Sequence, residues 1–381
     1  MTALPEDILP DGLLERFRGR AADYDARNVF CQEDFDELVD RGYLRLFCDK
    51  DDDGAALGMA GAVACQRRLA AAAPATALAV NMHLVWTAVA RLLRQGGDPS
   101  LDFILREAAA GEVFAFGLSE PGNDSVLFDS RTLAQQRDDG AYEFTGTKIF
   151  TSLSPVWTRL GVFGKSIGSE DEELVHGFIT RGTPGVEILE DWDTLGMRAT
   201  QSHTTRLNAV VVPAEQIFRH LPVGPNRDPL IFAIFAAFET LISAVYTGIA
   251  DRALELAVSA VEDRNPGMDG TPMVDRPEIR AAVADAAIDW EALDAHLRLL
   301  AQDIDNQMEH NGRWFAKLVA LKLHATGSAQ DLVEGARTLA GGQGYSRGSE
   351  LSRLARDVAA GRYHPSSRES ARRTVASAWL D

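Results

Sequence analysis

The 381-residue chain has only three cysteines, Cys31, Cys48 and Cys65, and no Cys-x-x-Cys pair. No group of histidines lies near them at the spacing that a metal site requires. We therefore expect three reduced, partly buried thiols, no disulfide framework and no bound metal.

Positive charge is also scarce. The chain has 38 Lys and Arg residues against 56 Asp and Glu residues, so its formal net charge is −18 and its pI is about 4.9. A nucleic acid is attracted by clusters of basic residues that displace its counterions. This charge balance argues against a nucleic-acid partner.

The sequence also shows neither the pattern of a signal peptide nor a long apolar run. The N-terminal stretch MTALPEDILPDGLLERF is acidic where a signal peptide is basic, and no apolar run reaches the roughly 18–20 residues that cross a bilayer. We expect a cytoplasmic protein without a membrane partner. Its 46% hydrophobic and 25% charged residues are typical of a globular chain with a large core.

Three regions follow one another along the chain. Residues 1–112 are rich in Ala and Leu at helical spacing and predict a helical N-terminal domain. Residues 113–221 contain short β-branched and aromatic runs between Gly, Asp, Asn and Pro turns, which predicts a β domain. After the proline-rich stretch 222–229, long helical patterns predict a C-terminal helical bundle over residues 222–381.

Four local strings carry more specific information. They read FAFGLSEPGNDSV (114–126), GTKIFTS (146–152), WDTLGMRATQSHTTRLNAVVVPAEQI (192–217) and LAGGQGYSRGSELSRLARDVAAGRYH (339–364). Each has an ordinary structural explanation, such as a β-turn, a solvated edge strand or a glycine at a helix C-terminus. Their occurrence in this order is much less probable by chance than any one of them.

The four strings resemble motifs of the acyl-CoA dehydrogenase superfamily. The resemblance implies an all-α N-terminal domain, a small β-barrel-like middle domain and a C-terminal four-helix bundle. It also implies FAD, or alternatively FMN or a reduced flavin, between the last two domains of a homodimer or homotetramer. The residues that it assigns to flavin binding are Leu118, Ser119, Ser125, Phe150, Thr151, Ser152, Trp192, Gly341, Gly342 and Gly344. Arg264 joins them because it follows GIADRALELAV (248–258), which resembles a helix of the same family. The resemblance also implies that the Ser152 hydroxyl donates a hydrogen bond near flavin N5.

The base of an acyl-CoA dehydrogenase is missing from its usual place. The family's glutamate lies eight or nine residues after the arginine of the Arg-Asp pair, here Arg356, and this chain has Tyr363, His364 and Pro365 there. Glu239 lies one residue from the position that some members use instead. One hypothesis is therefore a dehydrogenase of acyl thioesters, linked to CoA or a carrier protein, with His364 or Glu239 as base. The position favours His364.

A His-Pro pair at 364–365 also resembles the reduced-flavin monooxygenases that share this fold. That resemblance implies a C4a-hydroperoxyflavin, a separate flavin reductase and a small-molecule substrate, with His364, His83 and Trp192 near the reaction. A single histidine on an apolar helix such as His83 is more often a core residue. A third hypothesis is a non-catalytic paralogue that serves as a subunit partner.

Overall fold

The computed structural model of the chain describes residues 4–123, 125, 127–167, 172–264 and 270–380. Six α-helices precede the first strand within these ranges: α1 (Pro5–Ile8), α2 (Asp11–Arg27), α3 (Gln32–Asp40), α4 (Met59–Ala72), α5 (Pro74–Gln95) and α6 (Asp102–Ala109). Pro74 separates α4 from α5 because it lacks an amide proton and is accommodated only in the first turn of a helix.

Eight strands follow in the described part of the chain: β1 (Phe114–Gly117), β2 (Leu133–Gln136), β3 (Tyr142–Lys148), β4 (Arg159–Ile167), β5 (Glu173–Thr180), β6 (Val186–Leu189), β7 (Thr204–Val212) and β8 (Ile217–Pro222). They form one mixed sheet in the order β6-β7-β3-β2-β4-β5-β8, and β1 pairs in parallel with β4.

The C-terminal region consists of α7 (Pro229–Glu262), α8 (Pro277–Asp305), α9 (Trp314–Ala340), α10 (Gly342–Tyr345), α11 (Glu350–Val358) and α12 (Arg368–Leu380). Asp228 caps α7 by accepting a hydrogen bond from the amide of Leu230 at 2.8 Å. Helix α7 packs against α4, α5, α8 and α9, and this central position explains why it is apolar around most of its circumference.

The C-terminal helices also hold the N-terminal ones. Asp305, at the end of α8, accepts hydrogen bonds from the amides of Met59 and Ala60 at 2.5 and 2.9 Å. A distant carboxylate thus satisfies amide groups in the first turn of α4 that have no partner inside the helix.

Two helices, α5 and α7, are long and apolar enough to cross a membrane by length and composition alone. In the structure, 89% of the apolar window of each helix is buried among other elements. The sequence-based expectation that no apolar run is long enough to cross a bilayer was therefore wrong. The burial is typical of core helices in a folded protein.

Secondary structure changes from helix to strand between Ala109 and Phe114, and back to helix between Pro222 and Pro229. The domain boundaries at residues 112 and 221 remain a prediction, because a change of secondary structure does not by itself define an independent folding unit.

Candidate active site

A cavity of about 350 Å³ lies where α5, the loops after β1 and β3, the segment 192–202, α7 and residues 356–365 meet. A larger groove of about 1040 Å³ between α2, α4, α7 and α8 contains none of the residues that the sequence assigns to the site. The smaller cavity brings together five of the predicted site residues: Ser119, Phe150, Ser152, Trp192 and His364. It is therefore the candidate active site.

An aromatic corner forms one wall. The ring of Phe150 meets the ring of Trp192 edge-on, with 6.1 Å between centroids and 89° between planes. Phe150 has a positive φ of 58° and is 50% exposed, which is uncommon for a bulky side chain. Its position leaves a wide apolar surface open to the cavity, of the kind that packs against a planar ring.

A chain of hydroxyl groups lies beside this corner. Thr200 donates to the carbonyl oxygen of Met197 at 2.9 Å, and Ser202 donates to Thr200 at 2.8 Å. Ser152 and Ser202 are 2.8 Å apart, and since the Ser202 proton is already used, Ser152 must donate in this pair. The Ser152 oxygen therefore presents its lone pairs to the cavity. This polarity differs from the sequence expectation, in which Ser152 was a donor.

His364, another residue of the cavity wall, is held by Tyr246 of α7. The Nε2 atom of His364 lies 2.7 Å from the Tyr246 hydroxyl oxygen. Burial, together with the nearby Lys322 ammonium, lowers the pKa of His364 to about 3. The imidazole is therefore neutral across the physiological range.

The backbone turn that carries His364 is fixed from two helices. Lys322 of α9 donates to the carbonyl oxygens of His364 and Ser366 at 3.3 and 3.2 Å. The Ser366 hydroxyl donates to Oε1 of Glu239 on α7, and Ser366 itself has a φ of 60°. These contacts stabilise a backbone conformation that a serine adopts only rarely.

Glu239 is buried outside the cavity wall. Burial raises its pKa to about 7, although Ser366 and Lys322 oppose the shift, and its Oε2 atom is buried without a hydrogen-bond partner in the described part of the chain. Its neighbour Phe238 lines the cavity instead. Successive helix residues point about 100° apart, so α7 cannot present both side chains to the same space.

His83 is likewise next to a lining residue and not itself in the wall. Met82 lines the cavity, whereas His83 is fully buried between α5 and β1. Its Nε2 atom lies 2.8 Å from the carbonyl oxygen of Leu44, and its Nδ1 atom accepts from the amide of Phe114 at 3.1 Å. Both nitrogens are occupied by backbone groups, so the role expected for His83 at the reaction centre has no support in this position.

The other residues expected to bind flavin lie outside the cavity wall: Leu118, Ser125, Thr151, Arg264, Gly341, Gly342 and Gly344. Thr151 is fully buried next to Ser152, and its Oγ1 atom is without a partner within the described residues. Arg264 donates to the carbonyl oxygen of Leu339 at 3.3 Å beside Gly341, at the far end of α7 and α9. Their roles remain predictions.

Gly341 requires its residue type, because its φ of 62° with a ψ of −137° is a conformation that only glycine adopts readily. Gly342 has no other atom within 4 Å of where a Cβ would be, so a side chain there has free space within one chain. This openness is compatible with an approach by another molecule.

A buried ion pair fixes the two loops that carry Ser119 and Phe150. Lys148 Nζ lies 2.7 Å from Glu120 Oε1, and both side chains are almost completely buried. Burial alone would raise the pKa of Glu120, but Lys148 and hydrogen bonds from the amide of Arg131 and from Thr132 lower it to about 2. The Ile149 amide also donates to the carbonyl oxygen of Ser119 at 2.9 Å.

The segment with Trp192 is tied to α11 in a similar way. Asp357 accepts a hydrogen bond from the amide of Met197 at 2.6 Å. A Cβ on Gly196 would lie 2.1 Å from the carbonyl oxygen of Arg356, so this close approach requires glycine. Arg356 lines the cavity and forms an ion pair with Asp25.

Sequence reasoning missed Tyr246, Thr200 and Ser202 as members of the site. Thr200 and Ser202 alternate in the string 192–217, and this polar alternation was the available signal. Tyr246 lies in the apolar helix α7, where nothing in the sequence distinguishes it from a core residue.

Comparison with known proteins agrees with this architecture. Residues 240–369 match the family described as "Acyl-CoA dehydrogenase, C-terminal domain". The chain is 26% identical over 358 residues to YdbM of Bacillus subtilis (strain 168), which carries an acyl-CoA dehydrogenase name, covering 93% of this chain and 91% of that protein. It is 25% identical over 369 residues to dibenzothiophene monooxygenase of Rhodococcus erythropolis, covering 91% and 86%.

The fold is also that of KijD3, solved in complex with FMN and a dTDP-linked amino sugar. The TM-score is 0.87 at 25% identity, over 99% of this chain and 93% of that one. The chain therefore has the acyl-CoA dehydrogenase fold, and these matches confirm the resemblance to the acyl-CoA dehydrogenase superfamily seen in the sequence. Proteins similar to it include ones named as dehydrogenases, monooxygenases and nitrososynthases.

Proposed function

We propose that the chain is a monooxygenase that takes up reduced flavin from a separate reductase and oxygenates a small, uncharged substrate. One observation carries this proposal: α7 presents Phe238 to the cavity and keeps Glu239 behind it, while His364 occupies the wall.

This arrangement fits proton abstraction from an acyl thioester poorly. Such a base must lie within hydrogen-bond reach of the proton and have a pKa near the working pH. Glu239 has a suitable pKa of about 7 but is aimed at Ser366. His364 lies in the wall, but a pKa of about 3 makes it a weak base.

The residues present fit a flavin. The volume of about 350 Å³ is within the range of ligand cavities, and the open face of Phe150 beside Trp192 suits a planar ring. Reduced flavin supplies the oxygen-activating chemistry when it is bound. The Ser152 lone pairs suit an N–H group, which reduced flavin has at N5 and oxidised flavin lacks.

The wall also indicates the kind of substrate. Leu78, Met82, Phe116 and Phe238 contribute apolar surface, and Arg356 is the only charged side chain among the described lining residues. Because Arg356 is paired with Asp25, it is not free to bind an anion. An uncharged, largely apolar molecule matches this surface.

Anaerobic titration of the purified protein with oxidised and reduced FMN and FAD tests the proposal. We expect at least about tenfold tighter binding of a reduced flavin, which corresponds to about 1.4 kcal/mol. The alternative, an acyl-thioester dehydrogenase with tightly bound FAD, predicts tight binding of the oxidised form and its bleaching by a panel of acyl-CoA thioesters. That result would overturn the monooxygenase proposal.

A further inference from the structure

The contact between Tyr246 and His364 determines which imidazole nitrogen is available to the cavity. Tyr246 is fully buried in α7 and is not part of the cavity wall, whereas His364 lines the cavity. The 2.7 Å contact with Tyr246 uses Nε2 of the imidazole. Nδ1 is therefore the ring nitrogen left to face the cavity, and it has no hydrogen-bond partner among the residues that the structure describes.

The direction of the Tyr246 hydrogen bond follows from its surroundings. The hydroxyl has His364 Nε2 as its only acceptor within the described residues. If the imidazole donated instead, the hydroxyl proton would be buried without a partner, and this penalty disfavours that arrangement by about tenfold or more. The tyrosine therefore donates and Nε2 accepts.

A neutral imidazole that accepts at Nε2 must carry its proton on Nδ1. The imidazole is neutral in the relevant range because burial and Lys322 lower its pKa. The Tyr246 phenol keeps its proton, since burial raises its pKa well above the usual value. Both groups are thus in the states that this hydrogen bond requires.

We propose that Tyr246 is a positioning residue that fixes His364 as the Nδ1–H tautomer, so that the cavity that contains the acceptor Ser152 also receives a hydrogen-bond donor. This inference rests on the proposed function for its purpose, because a fixed N–H donor is suited to an oxygen atom of the reacting group. Hydrogen bonds from Lys322 to the carbonyl oxygens of His364 and Ser366, and from Ser366 to Glu239, fix the backbone turn that carries the ring. The donor is therefore supplied without a charge in an apolar cavity.

The tautomer can be measured without flavin or substrate. Magic-angle-spinning nitrogen-15 NMR on protein with labelled histidine distinguishes Nδ1–H from Nε2–H imidazole. The chain has eight histidines, so the His364 signal is assigned by its loss in His364→Gln. We expect an Nδ1–H signal in the wild-type protein, and an Nε2–H signal there would overturn the inference.

The Tyr246→Phe variant removes only the hydroxyl group. We expect the His364 signal to become a mixture of tautomers or to change to Nε2–H, whereas an unchanged Nδ1–H signal would show that Tyr246 does not set it. Tyr43→Phe is a matched control, because Tyr43 is a fully buried tyrosine whose hydroxyl donates to Gln66, and neither residue lines the cavity. It should leave the His364 signal unchanged.

A second readout connects the tautomer to the reaction. With reduced flavin and oxygen, Tyr246→Phe should release hydrogen peroxide about two- to twelvefold faster than the wild type, the range expected for one lost hydrogen bond. Flavin affinity should stay the same. If the tautomer changes and peroxide release does not, the donor has no role in oxygen chemistry, and this inference fails while the flavin titration still tests the proposed function.

Discussion

Removing the Ser152 hydroxyl tests the polarity of the hydroxyl chain. Ser152→Ala takes away the acceptor that faces the cavity, and Thr200→Val takes away the group to which Ser202 donates. Without Thr200, Ser202 can donate to Ser152, and Ser152 is then free to turn its own proton toward the cavity. Ser152→Ala therefore removes the Ser152 oxygen, whereas Thr200→Val allows this oxygen to become a hydrogen-bond donor toward the cavity.

The size of the effect follows from one hydrogen bond. A net contribution of about 0.5–1.5 kcal/mol corresponds to about two- to twelvefold in affinity. In Ser152→Ala, we expect reduced flavin to bind weaker by this factor, whereas oxidised flavin should change less than about twofold. The ratio of the two affinities sets the midpoint potential of bound flavin, so the two-electron potential should become more negative by about 10–30 mV.

Thr200→Val should also weaken reduced flavin relative to oxidised flavin, because Ser152 can now donate to a nitrogen without a proton. Spectroelectrochemical titration with reference dyes measures both potentials, and Ser154→Ala is a matched control because the Ser154 hydroxyl donates to the carbonyl oxygen of Thr151 outside the cavity. If Ser152→Ala instead makes the potential less negative, or weakens oxidised flavin more, Ser152 is a donor and the assigned polarity is wrong.

Three further predictions concern stability and assembly. Lys148→Met leaves the buried Glu120 carboxylate without its partner and should reduce the free energy of unfolding by about 3–5 kcal/mol in urea, and an unchanged midpoint would contradict the role of this pair. Burial lowers the pKa of His83 to about 4, so the contribution of its neutral form to stability is present above pH 6.5 and is lost as pH falls. Between pH 7 and 5 the free energy of unfolding should fall by about 2 kcal/mol from this group. Urea titrations in which His83→Gln shows the same pH dependence as the wild type would refute this prediction. The wild type should be a homo-oligomer by light scattering, and Gly342→Phe should lose flavin binding at an unchanged melting temperature. A monomeric wild type with full flavin affinity, or normal flavin titration in the variant, would refute the expected role of the loop that contains Gly342.

The sequence predicted the fold and one side of the site because short motifs at fixed spacing carry that information. Phe150 and Ser152 follow a glycine and a lysine in GTKIFTS, and His364 follows the Arg-Asp pair at the expected distance. Phe150 and Ser152 lie in a loop that the ion pair between Lys148 and Glu120 of the same motifs holds, so its position depends little on how the helices pack. The turn that carries His364 depends in addition on contacts with α7 and α9.

The rest of the site depends on the rotation of buried helices. Helix α5 presents Met82 to the cavity and α7 presents Phe238, and the neighbouring His83 and Glu239 are buried elsewhere. Both helices are apolar on nearly all sides, so their hydrophobic pattern does not indicate which residue faces the cavity. Tyr246 is hidden in the sequence for the same reason.

The most direct test of the central claim is the fate of oxygen on the protein with reduced flavin bound. The flavin complex is mixed rapidly with oxygenated buffer, and hydrogen peroxide is followed in the wild type and in His364→Ala and Glu239→Gln. We expect the wild type and Glu239→Gln to delay peroxide release by about 10²-fold or more relative to free reduced flavin, and His364→Ala to lose most of this delay. Peroxide release from the wild type at the rate of free flavin would contradict the proposed function. A full delay of peroxide release in His364→Ala, combined with the loss of this delay in Glu239→Gln, would also contradict it.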